Sequence, residues 1–199
     1  MTVRRTQFIL LALLVVGCWL RVWAIGKNSL WFDEAFSRDV VAHSNLLDIA
    51  LNRTVGDTQP PGHFVMLYLW THVAGDSEVS LRLLSAFAAM LALPAFYHLG
   101  RLLFNEQTGA FALLLGALSP LQIVYAQEAR NYYAFSIALG AWAVFGLLAM
   151  LQGKRYGWLL YVVTASIGLY THYFVGLALL AVHVWLLFNR DARSDARQQ

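Results

Sequence analysis

Charge is what this chain has least of. Only 13% of its 199 residues are Asp, Glu, Lys or Arg, against about 25% in a soluble domain, while 59% are apolar. That balance excludes disorder and argues against an ordinary soluble domain. Cysteine is nearly absent. Cys18 stands alone, so no internal disulfide scaffold is available. The excess of base over acid is small, 14 against 11, and it leaves no electrostatic footprint for nucleic acid. Neither an Asp-x-Asp motif nor a multi-carboxylate cage is present, so the sequence admits a divalent metal without specifying one.

What is there instead is long apolar blocks. A helix needs about 20 mostly apolar residues to cross a bilayer. Phe8–Ile25 qualifies, with Arg21 near its end placed to snorkel toward the headgroups. Val79–Leu99, Gly109–Gln127 and Tyr132–Gln152 qualify as well. Gly157–Phe188 is too long for one crossing and reads as two short helices meeting near Tyr170-Thr171-His172-Tyr173. The expected fold is therefore all-α and polytopic, with about six transmembrane helices. Val15-Val16-Gly17-Cys18 loosely resembles a lipoprotein cleavage box, but apolar residues continue past it to Trp23, so an uncut anchor is expected.

Pro60–Ala74 decides the topology. At 15 residues it suits a juxtamembrane helix better than a span. If it does not cross, the cytoplasmic side holds eight basic residues (Arg4, Arg5, Arg101, Lys154, Arg155, Arg190, Arg193 and Arg197) against four outside (Lys27, Arg38, Arg53 and Arg130). If it crosses, the counts become three inside and nine outside. The positive-inside rule selects the first arrangement. The chain then divides into a transmembrane module, 1–189, and a cytoplasmic polar tail, 190–199. The module contains an outer loop, 27–59, and the juxtamembrane helix, 60–74.

This topology gathers eight of the eleven acids on the outer face. It also brings Asp33-Glu34, Arg82, Glu128, Arg130 and His172 to one surface, where they can line one cavity. Each has two readings. Asp33 suits a helix N-cap; following Trp31 and Phe32, it also suits a partly desolvated general base. Phe36, Val40, Leu47 and Leu51 recur near the helical period and predict one helix lying on the interface. Glu128 and Arg130 either end helices or recognise an anion, since a guanidinium matches phosphate oxygens bidentately. Arg82 either snorkels or contacts a lipid phosphate, and His172 is either an interfacial cap or a wall of the site. Thr58-Gln59-Pro60-Pro61-Gly62-His63 reads as a turn that starts a helix, with His63 part of that turn. His98 and His183 read as structural.

Taken together, Trp31-Phe32-Asp33-Glu34, Pro60-Pro61-Gly62, Ser80-Leu81-Arg82-Leu83-Leu84-Ser85, Tyr125-Ala126-Gln127-Glu128-Ala129-Arg130-Asn131-Tyr132 and Tyr170-Thr171-His172-Tyr173 resemble the GT-C class of membrane glycosyltransferases. The resemblance is to the group that includes protein O-mannosyltransferases, lipid A aminoarabinose transferases and rhizobial lipopolysaccharide galacturonosyltransferases. It implies transfer of a sugar from a polyprenyl-phosphate carrier, at the outer face, to a hydroxyl on a glycan, lipid or protein. It implies Asp33 as catalytic base and Glu34 as its support or a ligand to acceptor or metal. Arg130, with Arg82, would face the carrier phosphate, and Glu128, His172 and Tyr173 would bind substrate. Direct displacement of this kind inverts the anomeric centre.

Members of the class usually carry more spans, so this chain is expected to correspond to the N-terminal module of such a protein. A catalytically incomplete carrier-binding module is the alternative. A small transporter is a weaker one, because the middles of the spans are nearly bare of charge. The basic inner surface and the lack of organelle signals favour a bacterial plasma membrane.

Overall fold

The computed structural model describes residues 3–52 and 59–188. The polar tail expected at 190–199 and Thr58 of the proline turn lie outside the described residues. Within them the chain is helical, with no strand, in the order α1 (Val3–Val22), α2 (Phe32–His43), α3 (Leu46–Asn52), α4 (Gly62–Ala74), α5 (Glu78–Leu103), α6 (Glu106–Leu118), α7 (Pro120–Ala126), α8 (Tyr132–Leu151), α9 (Arg155–Thr171) and α10 (Phe174–Phe188).

Three of these helices (α1, α5 and α8) are long and apolar enough to span a bilayer, and α6 with α7 makes a fourth if that bent pair is one span. The all-α membrane class is as expected; by length and composition three or four of the expected six spans qualify. The two short helices expected within Gly157–Phe188 are α9 and α10, which at 17 and 15 residues lie at and just below the short end of span lengths. Helix α1 runs unbroken through Cys18.

Packing is inverted relative to a soluble domain. Phe8, Leu11, Phe111, Leu115, Trp158, Leu177 and Leu187 are exposed, whereas Arg21, Glu34, His63, Arg82, Asn131 and His172 are buried. Helix α5 touches α1, α4, α6, α7 and α8. It does so along a stripe of small buried residues, Ala86, Ala88, Ala89, Ala92 and Ala95, which suits bilayers because small residues let helix backbones approach closely. The α8–α9 contact uses the same device: a Cβ on Gly157 would lie 2.3 Å from the Met150 nitrogen, and one on Gly146 2.7 Å from that of Tyr161.

Arg21 does not snorkel. It is fully buried and donates to Gly17 O at 2.8 Å, Gly116 O at 2.9 Å and Ala117 O at 3.4 Å. The cause lies in the partner helix. Pro120 has no N–H to offer Gly116 O, so the helix breaks and α7 leaves α6 at 55°. The guanidinium supplies the missing donors. The expected single span at Gly109–Gln127 is thus a broken one, restarted by the Ser119 hydroxyl, which accepts from Gln122 N at 3.4 Å.

Helix α4 starts and ends at the same end of the bundle. Its first residue, Gly62, abuts the last turn of α9 so tightly that a Cβ would lie 2.4 Å from Tyr170 O. Near its other end, Trp70 donates to Ser80 O at 2.8 Å in the first turn of α5. Before it, the one expected interfacial helix is two. The chain breaks at Ser44-Asn45, where the Asn45 side chain accepts from Asp48 N at 2.9 Å. The break shifts the apolar phase, so that Val40, Val41 and Ile49 are buried while Phe36, Leu47 and Leu51 remain exposed.

Candidate active site

The end of the bundle where α2, α4, α5 and α8 begin holds the polar groups singled out in the sequence. Glu34 and Arg82 form its floor. The Glu34 side chain is 1% exposed and that of Arg82 5%. Glu34 Oε1 accepts from Arg82 Nε at 2.9 Å and from Ala129 N at 2.7 Å; Oε2 accepts from Arg82 Nη2 at 2.7 Å and from Trp31 N at 3.2 Å. The remaining Arg82 donors reach Ile25 O, Asn28 O and Ser29 O at 3.0, 2.6 and 3.1 Å. A guanidinium has five N–H donors and a carboxylate about four lone-pair sites, and here every one is used. Burial works against the Glu34 charge, but the bonds from Arg82, Ala129 and Trp31 outweigh it and hold the carboxyl below the usual range.

Above that floor stands a second pair with capacity left over. Asp33 lies in the first turn of α2 but is not its cap, which is Trp31; Glu34, reaching back to the Trp31 N–H, supplies the capping bond. That frees the Asp33 carboxylate to meet Arg130 Nη1 at 2.6 Å, with side-chain exposures of 38% and 22%. Arg130 also donates to the Tyr132 hydroxyl, and its guanidinium carbon sits 5.4, 5.0 and 5.4 Å from the rings of Trp31, Tyr132 and Tyr133. These rings hold the cation without using up its hydrogen-bond donors.

His172, the C-cap of α9, is buried and stacks on Tyr132 with ring centroids 5.2 Å apart. Its Nδ1 accepts from Phe174 N at 3.1 Å, which puts the proton of a neutral ring on Nε2. Burial lowers its pKa and favours that neutral form. Tyr173 packs on His172 and stays half exposed. Glu128 is half buried near the same charges. Burial pushes its carboxyl up, Arg130 pulls it back, and Glu34 and Asp33 add to the rise.

Sequence reasoning passed over two members of this cluster. His63, read as part of a turn, is buried with its ring 5.0 Å from that of Tyr132, and Asn131 Nδ2 donates to its carbonyl at 3.3 Å. Tyr132 itself holds Arg130. The available signal was Gly62, whose missing side chain lets the start of α4 reach α9. Among the described residues no three His, Cys, Asp or Glu side chains converge to cage a metal.

Residues 58–198 match the family described as dolichyl-phosphate-mannose-protein mannosyltransferase. The chain belongs to this family. It is therefore a membrane glycosyltransferase of the GT-C class by family membership. No curated protein and no solved structure matches it. The family match contains Arg82, Glu128, Arg130, His172 and Tyr173 but begins after Asp33 and Glu34. The mannosyltransferase-family segment and the loop before it are joined by the two ion pairs, Arg82–Glu34 and Arg130–Asp33.

Proposed function

We propose that the protein transfers a sugar from a polyprenyl-phosphate carrier to a hydroxyl on a glycan, lipid or protein acceptor at the outer surface of a bacterial plasma membrane, with inversion. The observation that carries this reading is the Asp33–Arg130 pair, partly exposed at 2.6 Å, on a floor whose own charges are saturated. The donor is already activated by its phosphate. The enzyme's work is to deprotonate the acceptor hydroxyl, align it, and neutralise the charge left on the phosphate.

Asp33 takes the proton. As the acceptor oxygen forms its bond to the anomeric carbon, the bond from that carbon to the phosphate oxygen breaks, and Arg130 meets the departing phosphate. Substrate entry separates the two, Asp33 passing to the acceptor hydroxyl and Arg130 to the donor phosphate. Glu34 and Arg82 are positioning residues in this reading: they fix the start of α2 against α5 and the α7–α8 turn. Glu128, Tyr173 and the His172 wall are left to contact the sugar or acceptor.

The test is sugar transfer from labelled polyprenyl-phosphate donors in reconstituted membranes. Asp33→Asn should lower it by roughly a hundred- to ten-thousand-fold while the protein still folds; transfer that stays near the wild-type rate removes Asp33 from its role. Donors bearing different sugars, run on the same preparation, identify the substrate.

A further inference from the structure

The far end of α5 carries a second concentration of charge that the transfer reaction does not use. Arg101 lies 19 residues beyond Arg82 on α5, about 28 Å away at a rise of roughly 1.5 Å per residue. Beside it a cavity of about 680 Å³ opens between the end of α5, the middle of α8 and the α8–α9 turn. Arg101 and Lys154 supply its cations, His98, Trp142 and Tyr156 its aromatic wall, and Gln152 a side-chain amide. Among the described residues no carboxylate lines it.

The two cations are available. Among the described residues the ion pairs join Arg38 to Asp76, His43 to Asp39, Arg82 to Glu34 and Arg130 to Asp33, so neither Arg101 nor Lys154 takes part in one. Lys154 is also the N-cap residue of α9 and makes no side-chain capping bond there, so the positive end of that helix adds to the same potential. The wall is built rather than incidental. Trp142 spends its indole N–H on Leu91 O at 2.9 Å, and its ring lies 5.9 Å from that of His98. Residues 190–199 are a poor electrostatic match for the cavity, since they hold three arginines against two aspartates.

Cations beside an apolar wall at the end of a membrane helix bundle fit a ligand with an anionic head and an organic body. We propose that this cavity binds an anionic phosphate ester, the phosphate between Arg101 and Lys154 and the organic body against Trp142 and Tyr156. Such an ester is available from two sources, an acidic phospholipid headgroup or a soluble sugar or glycerol phosphate. The proposal is independent of the transfer chemistry at Asp33.

Native mass spectrometry of the full chain in detergent tests it, with phosphatidylglycerol, phosphatidylcholine and glycerol 3-phosphate as probes. Wild-type protein should hold phosphatidylglycerol at least tenfold more tightly than phosphatidylcholine. That preference should disappear in Arg101→Gln/Lys154→Gln. A charge-matched control at the other end, Lys27→Gln/Arg38→Gln, should keep it. Glycerol 3-phosphate binding as well as phosphatidylglycerol supports the site with a soluble ligand; much weaker binding supports it with a lipid. Equal retention of phosphatidylglycerol by wild type and the Arg101/Lys154 variant overturns the proposal, as does wild-type protein that binds neither anion. Should the double variant not fold, Lys154→Gln alone, on an exposed turn, must show the same direction of change.

Discussion

Glu34 and Arg82, 48 residues apart in sequence, bond through both carboxylate oxygens at 2.9 and 2.7 Å, and backbone groups of Ala129, Trp31, Ile25, Asn28 and Ser29 take up the rest of their hydrogen-bonding capacity. The consequence is a division of labour between two adjacent acids. Glu34 is locked into the scaffold, and Asp33, one residue earlier, keeps a partly exposed carboxylate.

Breaking that lock should cost stability before it costs chemistry. Glu34→Ala leaves the buried Arg82 charge uncompensated, for which about 3–5 kcal/mol is expected. Arg82→Lys should recover little of the pair, because an ammonium has only three donors and no planar fork. Thermal unfolding in detergent measures both.

The same pair sets an acid limit. Because the folded-state pKa of Glu34 is depressed, its contribution is fully present above the ordinary carboxylate range and is lost as pH falls through the lower folded value. The melting temperature of wild type should therefore drop more steeply than that of Glu34→Gln as pH is lowered through that window. Parallel curves would remove Glu34 from the acid response.

Asp33 should behave in the opposite way to Glu34. With 38% of its side chain exposed and Arg130 as its ion-pair partner, Asp33→Asn should change stability by no more than about 1 kcal/mol. Loss of a general base should lower kcat by roughly a hundred- to ten-thousand-fold. Unfolding and single-turnover transfer, measured on one preparation, separate the two effects.

Arg130→Gln should act on the donor. Losing a charge-assisted contact worth about 1.5–3 kcal/mol raises KM for the lipid-linked sugar by about ten- to a hundredfold. An unchanged donor dependence would leave Arg130 as a helix-end residue.

Arg21 and Pro120 should be coupled. Arg21→Leu strands the Gly116 and Ala117 carbonyls, at about 1–3 kcal/mol for each unpaired group. Pro120→Ala returns an N–H to Gly116 O and should recover part of that loss in the double variant. Additive effects in the cycle would mean that the guanidinium is not serving the helix break.

The apolar blocks told most of the fold in advance, because a bilayer tolerates few alternatives to a helix. The turn at His172-Tyr173 and the short α4 fall where residue pattern puts them. The interruption at Ser119-Pro120 was visible as residues but not as a bend, since a broken helix survives only where something satisfies its stranded carbonyls. That something is Arg21, 95 residues from Gly116.

Composition and spacing by themselves determined an all-helical membrane chain with its acids crowded near Asp33, Glu34 and Glu128. Only the tertiary structure decided which of those acids retains a partly exposed carboxylate. The donors that saturate Glu34 come from Arg82 and Ala129, 48 and 95 residues away. Local pattern carries no record of partners so distant, because they meet only when the helices pack.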